Sequence, residues 1–160
     1  MKDLLLQKLR EQFPSAVEVV SEFRDELTLI IRKADILPVC SFLQSNSDLS
    51  FDSIRDLCGA DYHRPDDRFE VIYNIYSLKN NFRLRLKVRI DEKDLHVASV
   101  SGIWQGANWL ERESYDMYGI LFDGHPDLRR IYLPEEFEYY PLRKDFPLMG
   151  IPGSLPLPRK

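Results

Sequence analysis

The chain has 160 residues, of which 44% are hydrophobic, and a net charge of −4 at neutral pH. That length and apolar fraction fit one domain with a sizeable core plus an extension, and the acidic balance argues against nucleic acid as a partner. Two cysteines, Cys40 and Cys58, are too few for a disulfide framework or for a Cys-ligated iron–sulfur cluster, and they fit a reduced, cytosolic setting.

Residues 3–13 read as a short helix with Leu5, Leu9 and Phe13 on one face and Pro14 ending it. Gln7, Lys8 and Arg10 interrupt Leu4-Leu5-Leu6 at once, so this is no signal-peptide core. Nowhere is there a run of the roughly 18 apolar residues that a spanning helix needs, so any membrane association is peripheral or through partners. Val17–Phe23 and Leu27–Ile31 read as a hairpin turned by Arg24-Asp25-Glu26. Asp35 is placed to cap a helix running to about Gln44, with Ile36, Val39, Cys40 and Leu43 inward and Pro38 tolerated in the first turn.

Three strands follow, at about 51–60, 69–78 and 82–90, with turns at Arg64-Pro65-Asp66-Asp67 and Lys79-Asn80-Asn81. The last alternates most cleanly: Phe82, Leu84, Leu86, Val88 and Ile90 on one face, Arg83, Arg85, Lys87 and Arg89 on the other. That cationic ladder has no interleaved aromatic, so it reads as a solvated or partner-covered face rather than a phosphate-binding one. A short extended piece at 95–99 precedes a helix near 106–118. The order predicts an α+β domain of two layers, with helices on one face of a mixed, mostly antiparallel sheet of about five strands. The domain is expected to span residues 1–133. After it, residues 134–160 hold six of the ten prolines and predict an extended arm, not a second core.

Residues 109–148 carry the densest chemistry. In the helix, Asn108 and Glu111 have the spacing of a capping box, Arg112 and Asp116 are one turn apart and able to pair, and Gly119 suits the left-handed position that ends a helix. Leu110, Ser114 and Met117 lie on one stripe. Glu111, Glu113, Asp116 and Asp123 with His125 admit a metal or acid–base site, and so a carboxylate-based hydrolase. Arg112, Arg129 and Arg130 among them favour the alternative, charge pairs that fix a helix and a loop. Neither a glycine-rich phosphate loop nor a sequence-adjacent Cys–His pair is present. The aromatic set around Trp109, Tyr115, Tyr132, Tyr139, Tyr140 and Phe146, with nearby arginines, has the composition of a protein interface.

The ordered series Glu111-Arg112-Glu113, Tyr115-Asp116, Gly119-Ile120, Gly124-His125-Pro126, Leu128-Arg129-Arg130-Ile131, Leu133-Pro134-Glu135 and Pro141-Leu142-Arg143-Lys144-Asp145 closely resembles the C subunit of respiratory complex I, the proton-translocating NADH-quinone oxidoreductase. The chloroplast counterpart shares this signature. The likeness is densest over residues 96–148 and weaker but collinear upstream. Phe137 stands where a Trp is usual, and Tyr139-Tyr140 where a small residue or His precedes the Pro-Leu-Arg-Lys-Asp run; both changes stay bulky and bear on packing.

The resemblance implies a subunit of the peripheral arm, on the cytoplasmic face of a bacterial membrane, that lies against the quinone-site subunit. It implies no flavin, iron–sulfur cluster, metal or catalytic residue on this chain; the flavin, clusters and quinone belong to other subunits of the enzyme. Glu111, Arg112, Glu113, Asp116, Gly119, His125 and Pro126 then form a structural signature. Arg129, Arg130, Tyr139, Tyr140, Arg143, Lys144, Asp145 and Phe146 are the expected partner-facing residues. The equivalent subunit of an energy-converting hydrogenase or a ferredoxin-fed quinone reductase is the nearest alternative. At roughly 3 Å per residue the arm is long enough to reach about 80 Å, against a domain radius of gyration of about 15 Å. It is therefore expected to leave its own domain and lie along another subunit.

Overall fold

In the computed structural model, which describes residues 1–147 and Gly150, the chain forms a five-stranded sheet with helices laid on one face. Helix α1 (Lys2–Gln12) buries Leu5 and Leu9 and closes with the Phe13 N–H on the Leu9 carbonyl. Strands β1 (Val17–Phe23) and β2 (Glu26–Ile31) make an antiparallel hairpin. Its turn has two residues, not the three expected: Arg24 and Asp25 take φ of 51° and 64°, the mirror-image turn that matches strand twist. A single 3-10 turn at Lys33–Asp35 leads into α2 (Ile36–Ser45). Asp35 stands at the cap position, but its side chain goes back to Arg32 and caps nothing. Ile36, Val39, Cys40 and Leu43 all point inward, as their spacing requires.

Strands β3 (Ser53–Asp61), β4 (Phe69–Ser77) and β5 (Phe82–Ile90) form an antiparallel meander. β5 then pairs in parallel with β2, giving the order β1-β2-β5-β4-β3. One parallel pair in an otherwise antiparallel sheet follows from the return path through α2, β3 and β4. Leu27, Leu29 and Ile31 of β2, Phe69, Val71, Tyr73 and Ile75 of β4, and Leu84, Leu86, Val88 and Ile90 of β5 supply the buried face. Thr28 and Ile30 are buried too, although they face the other way. Their register neighbours Arg85 and Lys87 explain this, since such side chains lay apolar stems over adjacent surface.

Of the remaining elements, a short strand β6 (His96–Ala98) lies beside the 3-10 turn at Lys33–Asp35. It pairs in parallel with β7 (Leu121–Asp123), a three-residue strand that the sequence pattern does not announce. Between them runs α3 (Ala107–Tyr118), which packs on β3. It lies so close to β3 that a Cβ on Gly59 would come within 2.7 Å of the Tyr118 ring. A glycine inside a strand marks such an approach. Among the described residues no helix is long and apolar enough to cross a membrane.

Candidate functional site

Helix α3 carries three buried charged residues: Glu111 is tied to the segment at 99–100, and Arg112 and Asp116 to the 129–133 loop. The helix starts at Ala107 behind Gly106, with no side-chain cap, so the capping box expected at Asn108 does not form. Glu111 turns inward instead, accepting from the Ser99 hydroxyl at 2.6 Å and the Val100 N–H at 2.7 Å. These buried donors outcompete a solvent-side cap, because an unpaired N–H there would cost about 1–3 kcal/mol. Burial pushes the Glu111 carboxyl up to about 7, against the pull of the Ser99 and Val100 donors.

His125 lies beside it, its Nε2 3.9 Å from Glu111 Oε2, with both side chains fully buried. His125 Nδ1 accepts the Asp127 N–H at 3.0 Å. The ring hydrogen is therefore on Nε2, which donates to the Asn108 carbonyl at 3.1 Å. A neutral ring in that tautomer makes the contact with Glu111 a polar one, not an ion pair.

Asp116 is not paired with Arg112 along the helix, as their spacing predicts. Its carboxylate accepts three successive backbone N–H groups, from Ile131 (3.0 Å), Tyr132 (2.7 Å) and Leu133 (3.2 Å), and a 2.7 Å bond from Arg130 Nη1. Burial alone would raise this carboxyl. The Tyr132 N–H, the Arg130 guanidinium and the other two N–H groups outweigh it and hold Asp116 below the usual range. A turn of successive N–H groups is a natural anion cradle; here the anion is the protein's own. Arg112 reaches the same loop from the next turn, donating to the carbonyls of Arg129 and Arg130, with its guanidinium 4.8 Å from the Trp109 ring.

A third knot joins the end of β3 to the segment after Pro134. Arg68 forks onto Asp61 with two bonds of 3.0 and 2.8 Å, and also reaches Glu92 and Asp145. Asp61 further accepts the N–H groups of His63 and Lys144. Burial would raise Asp61, but Arg68 and the two N–H groups bring it down to about 2. Arg143 donates to the Tyr118 carbonyl at 2.7 Å and sits between the Tyr140 and Phe69 rings. The Leu142 N–H reaches the Met117 carbonyl.

Residues 137–146 thus lie back on their own domain. Of the residues read as partner-facing, Arg130, Tyr140, Arg143 and Asp145 are engaged internally, and Phe146 is half-buried. Arg129, Tyr139 and Lys144 remain exposed. Trp109, Tyr132 and Leu142 are exposed as well, at 63%, 66% and 51%. The apolar residues of the arm at 148, 149, 151, 155 and 157 fall outside the described residues.

The carboxylates read as a possible acid–base or metal set do not converge. Glu111 and Asp116 occupy separate knots, Glu113 is exposed, and Asp123 pairs with His96 on the small sheet at 2.8 Å. Among the described residues no three His, Cys, Asp or Glu side chains come together as a metal-ligand set. Asp61, Arg68, Ser99 and Tyr118 are the site residues that sequence reasoning missed. Gly59 inside a strand was the available signal for the close helix, but nothing local marks the Arg68 fork.

The model of a family described as the respiratory-chain NADH dehydrogenase 30 kDa subunit matches residues 29–152. The NADH-quinone oxidoreductase C subunit of Geotalea uraniireducens is 48% identical over 143 residues, 89% of this chain and 86% of that one. The C 2 subunit of the Rhizobium meliloti enzyme is 47% identical over 143 residues, 89% of this chain and 78% of its own length. Among solved structures, a trypsin-resistant fragment of Nqo5 superposes with a TM-score of 0.65 at 28% identity, covering 78% of this chain and 99% of the fragment. A chain of an archaeal membrane-bound sulfane sulfur reductase gives 0.77 at 19% identity, over 92% of this chain and 86% of that one, and at that identity shares the fold alone.

Proposed function

The chain belongs to the respiratory-chain NADH dehydrogenase 30 kDa subunit family, and we propose that it works as a cofactor-free structural subunit in the peripheral arm of an NADH-quinone oxidoreductase. Electrons pass from NADH to quinone through flavin and clusters on other subunits. This chain fixes a neighbour, the quinone-site subunit, whose redox geometry needs a rigid support. Its association with the cytoplasmic face of the membrane is indirect, through that neighbour.

The observation that carries this reading is the division of labour on and around α3. Its buried acids, Glu111 and Asp116, are engaged by internal hydrogen bonds to neighbouring loops. The aromatic residues beside them, Trp109 and Tyr132, stand exposed. Large exposed aromatics on a rigid frame are what interface hot spots are made of. Arg112 and Arg130 tie α3 to the 129–133 loop, so Trp109 and Tyr132 keep a fixed spacing.

Purification of the tagged chain from native membranes, with identification of what comes with it, tests the proposal. Stoichiometric recovery with a quinone-site subunit and an NADH-oxidising subunit is the expected result. Recovery with hydrogenase or ferredoxin-linked subunits would assign the chain to a related complex, and recovery alone would overturn the reading.

A further inference from the structure

The sheet face away from the helices takes no part in the three knots around α3. On it, β2, β5, β4 and β3 bring Glu26, Arg83, Arg85, Asn74, Tyr76 and Arg55 around a concavity of about 510 Å³. The chain is acidic overall, so this cationic rim is a local reversal of its charge.

A β-bulge puts Arg55 there. Ile54 is paired with Ile75 and Asp56 with Asn74, so Arg55 is the extra residue in β3. Bulges re-aim side chains, and the Arg55 guanidinium comes to lie 4.8 Å from the Tyr76 ring centroid. Tyr76 is itself fixed, its hydroxyl donating to Asn81 Oδ1 at 2.5 Å. Arg85 is satisfied on both sides, donating to Asn74 at 3.1 Å and Glu26 at 2.8 Å. Of the three guanidiniums at the concavity, only Arg85 has a carboxylate partner among the described residues. Arg55 and Arg83 flank the opening without one.

We propose that this face docks an acidic protein segment from a neighbouring subunit, whose carboxylates pair with Arg55 and Arg83. The inference rests on the reading that the chain works inside a complex. The chemistry favours a carboxylate-bearing segment on three grounds. A guanidinium presents a planar fork that matches a carboxylate bidentately, and stacking on Tyr76 already orients that of Arg55. Four strands at about 4.8 Å spacing make a floor about 14 Å across, which an extended segment of four or five residues spans. Glu26, Asp56 and Glu70 also lie among the cations of this face. Evenly charged nucleic acid would meet them with its phosphates, and Arg55 covers the ring on which a base would stack. A protein segment avoids both problems by placing its carboxylates only opposite the two free guanidiniums.

The test uses the intact complex carrying either Arg55→Glu with Arg83→Glu or Arg55→Lys with Arg83→Lys. Charge reversal is expected to lower retention of the chain about tenfold at moderate salt, while the lysine pair stays within about twofold of wild type. In parallel, a photo-crosslinking benzoylphenylalanine at Arg83 in otherwise wild-type chain is expected to capture a peptide rich in Asp and Glu. That arm stands even where the reversed chain does not fold. Wild-type retention of a folded reversal variant, or capture of a peptide without carboxylates or of nucleic acid, would overturn the docking proposal and leave subunit membership standing. Failure of the wild-type chain to join any complex would overturn both.

Discussion

Arg68 Nε and Nη2 bond Asp61 Oδ1 and Oδ2 across the β3–β4 turn, and the same guanidinium holds Asp145 from 77 residues further along the chain. One fork thus fastens the segment after Pro134 to the sheet.

Arg68→Ala is expected to destabilise the domain by about 3–5 kcal/mol, because it leaves the buried Asp61 carboxylate without its partner. Asp145→Asn removes a half-exposed arm of the same network and is expected to cost under about 1 kcal/mol. Urea unfolding measures both. Hydrogen exchange at the Leu142 and Lys144 amides should rise in Arg68→Ala before global unfolding. Truncation after Leu133 removes the Asp145, Lys144 and Leu142 contacts and keeps the Arg68–Asp61 fork, so it should leave a folded domain with a lower midpoint.

Asp116→Ala deprives three N–H groups and Arg130 of their acceptor at once. A loss of about 3–5 kcal/mol is expected, with exchange protection lost at Ile131, Tyr132 and Leu133. Exposed Glu113→Ala, one turn away, should stay within about 0.5 kcal/mol of wild type. Equal effects from the two substitutions would contradict the assignment of Asp116 as the loop anchor.

The helix was legible in the sequence as a helix, but its partners were not. The alternation Phe82 to Ile90 and the 36, 39, 40, 43 spacing reveal their faces directly, since the period alone decides which side is buried. Gly119 was legible from its residue type, since glycine takes the left-handed backbone that ends a helix, and its φ is +76°. Local spacing failed wherever a distant group competed. Asn108 and Glu111 match a capping box, yet Ser99 and Val100 hold Glu111. Arg112 and Asp116 match a helical ion pair, yet the 129–133 loop takes both. β7 is too short for any period to show.

Glu111 gives the domain a pH dependence of unusual sign. Its folded carboxyl titrates at about 7 while the unfolded one titrates near 4.5. Between those values the folded state binds the extra proton, so stability falls as pH rises through this window, by about 3 kcal/mol at most. Asp61 acts oppositely. Its folded value of about 2 is below the ordinary 3.8, so its contribution is full above 3.8 and is lost as pH falls toward 2. Thermal melts of the isolated chain should therefore rise from pH 7.5 to about 5 and drop below 3.8. Glu111→Gln, which keeps both the acceptor and a donor for Ser99, should flatten the upper limb alone.

Gly119→Ala combines a left-handed backbone with a collision against Tyr140 and Arg143. A penalty of about 1–3 kcal/mol is expected, read by calorimetry. Wild-type stability in this variant would mean that residues 140–143 do not rest on the end of α3.

On the proposed function, the chain positions its neighbours and performs no chemical step. NADH:quinone turnover per assembled complex, set beside the amount assembled, tests this most directly with Trp109→Ala and Tyr132→Ala combined. Loss of two hot-spot aromatics predicts about a tenfold drop in assembled complex or more, with turnover per remaining complex within about twofold of wild type. Normal assembly with abolished turnover would contradict the account.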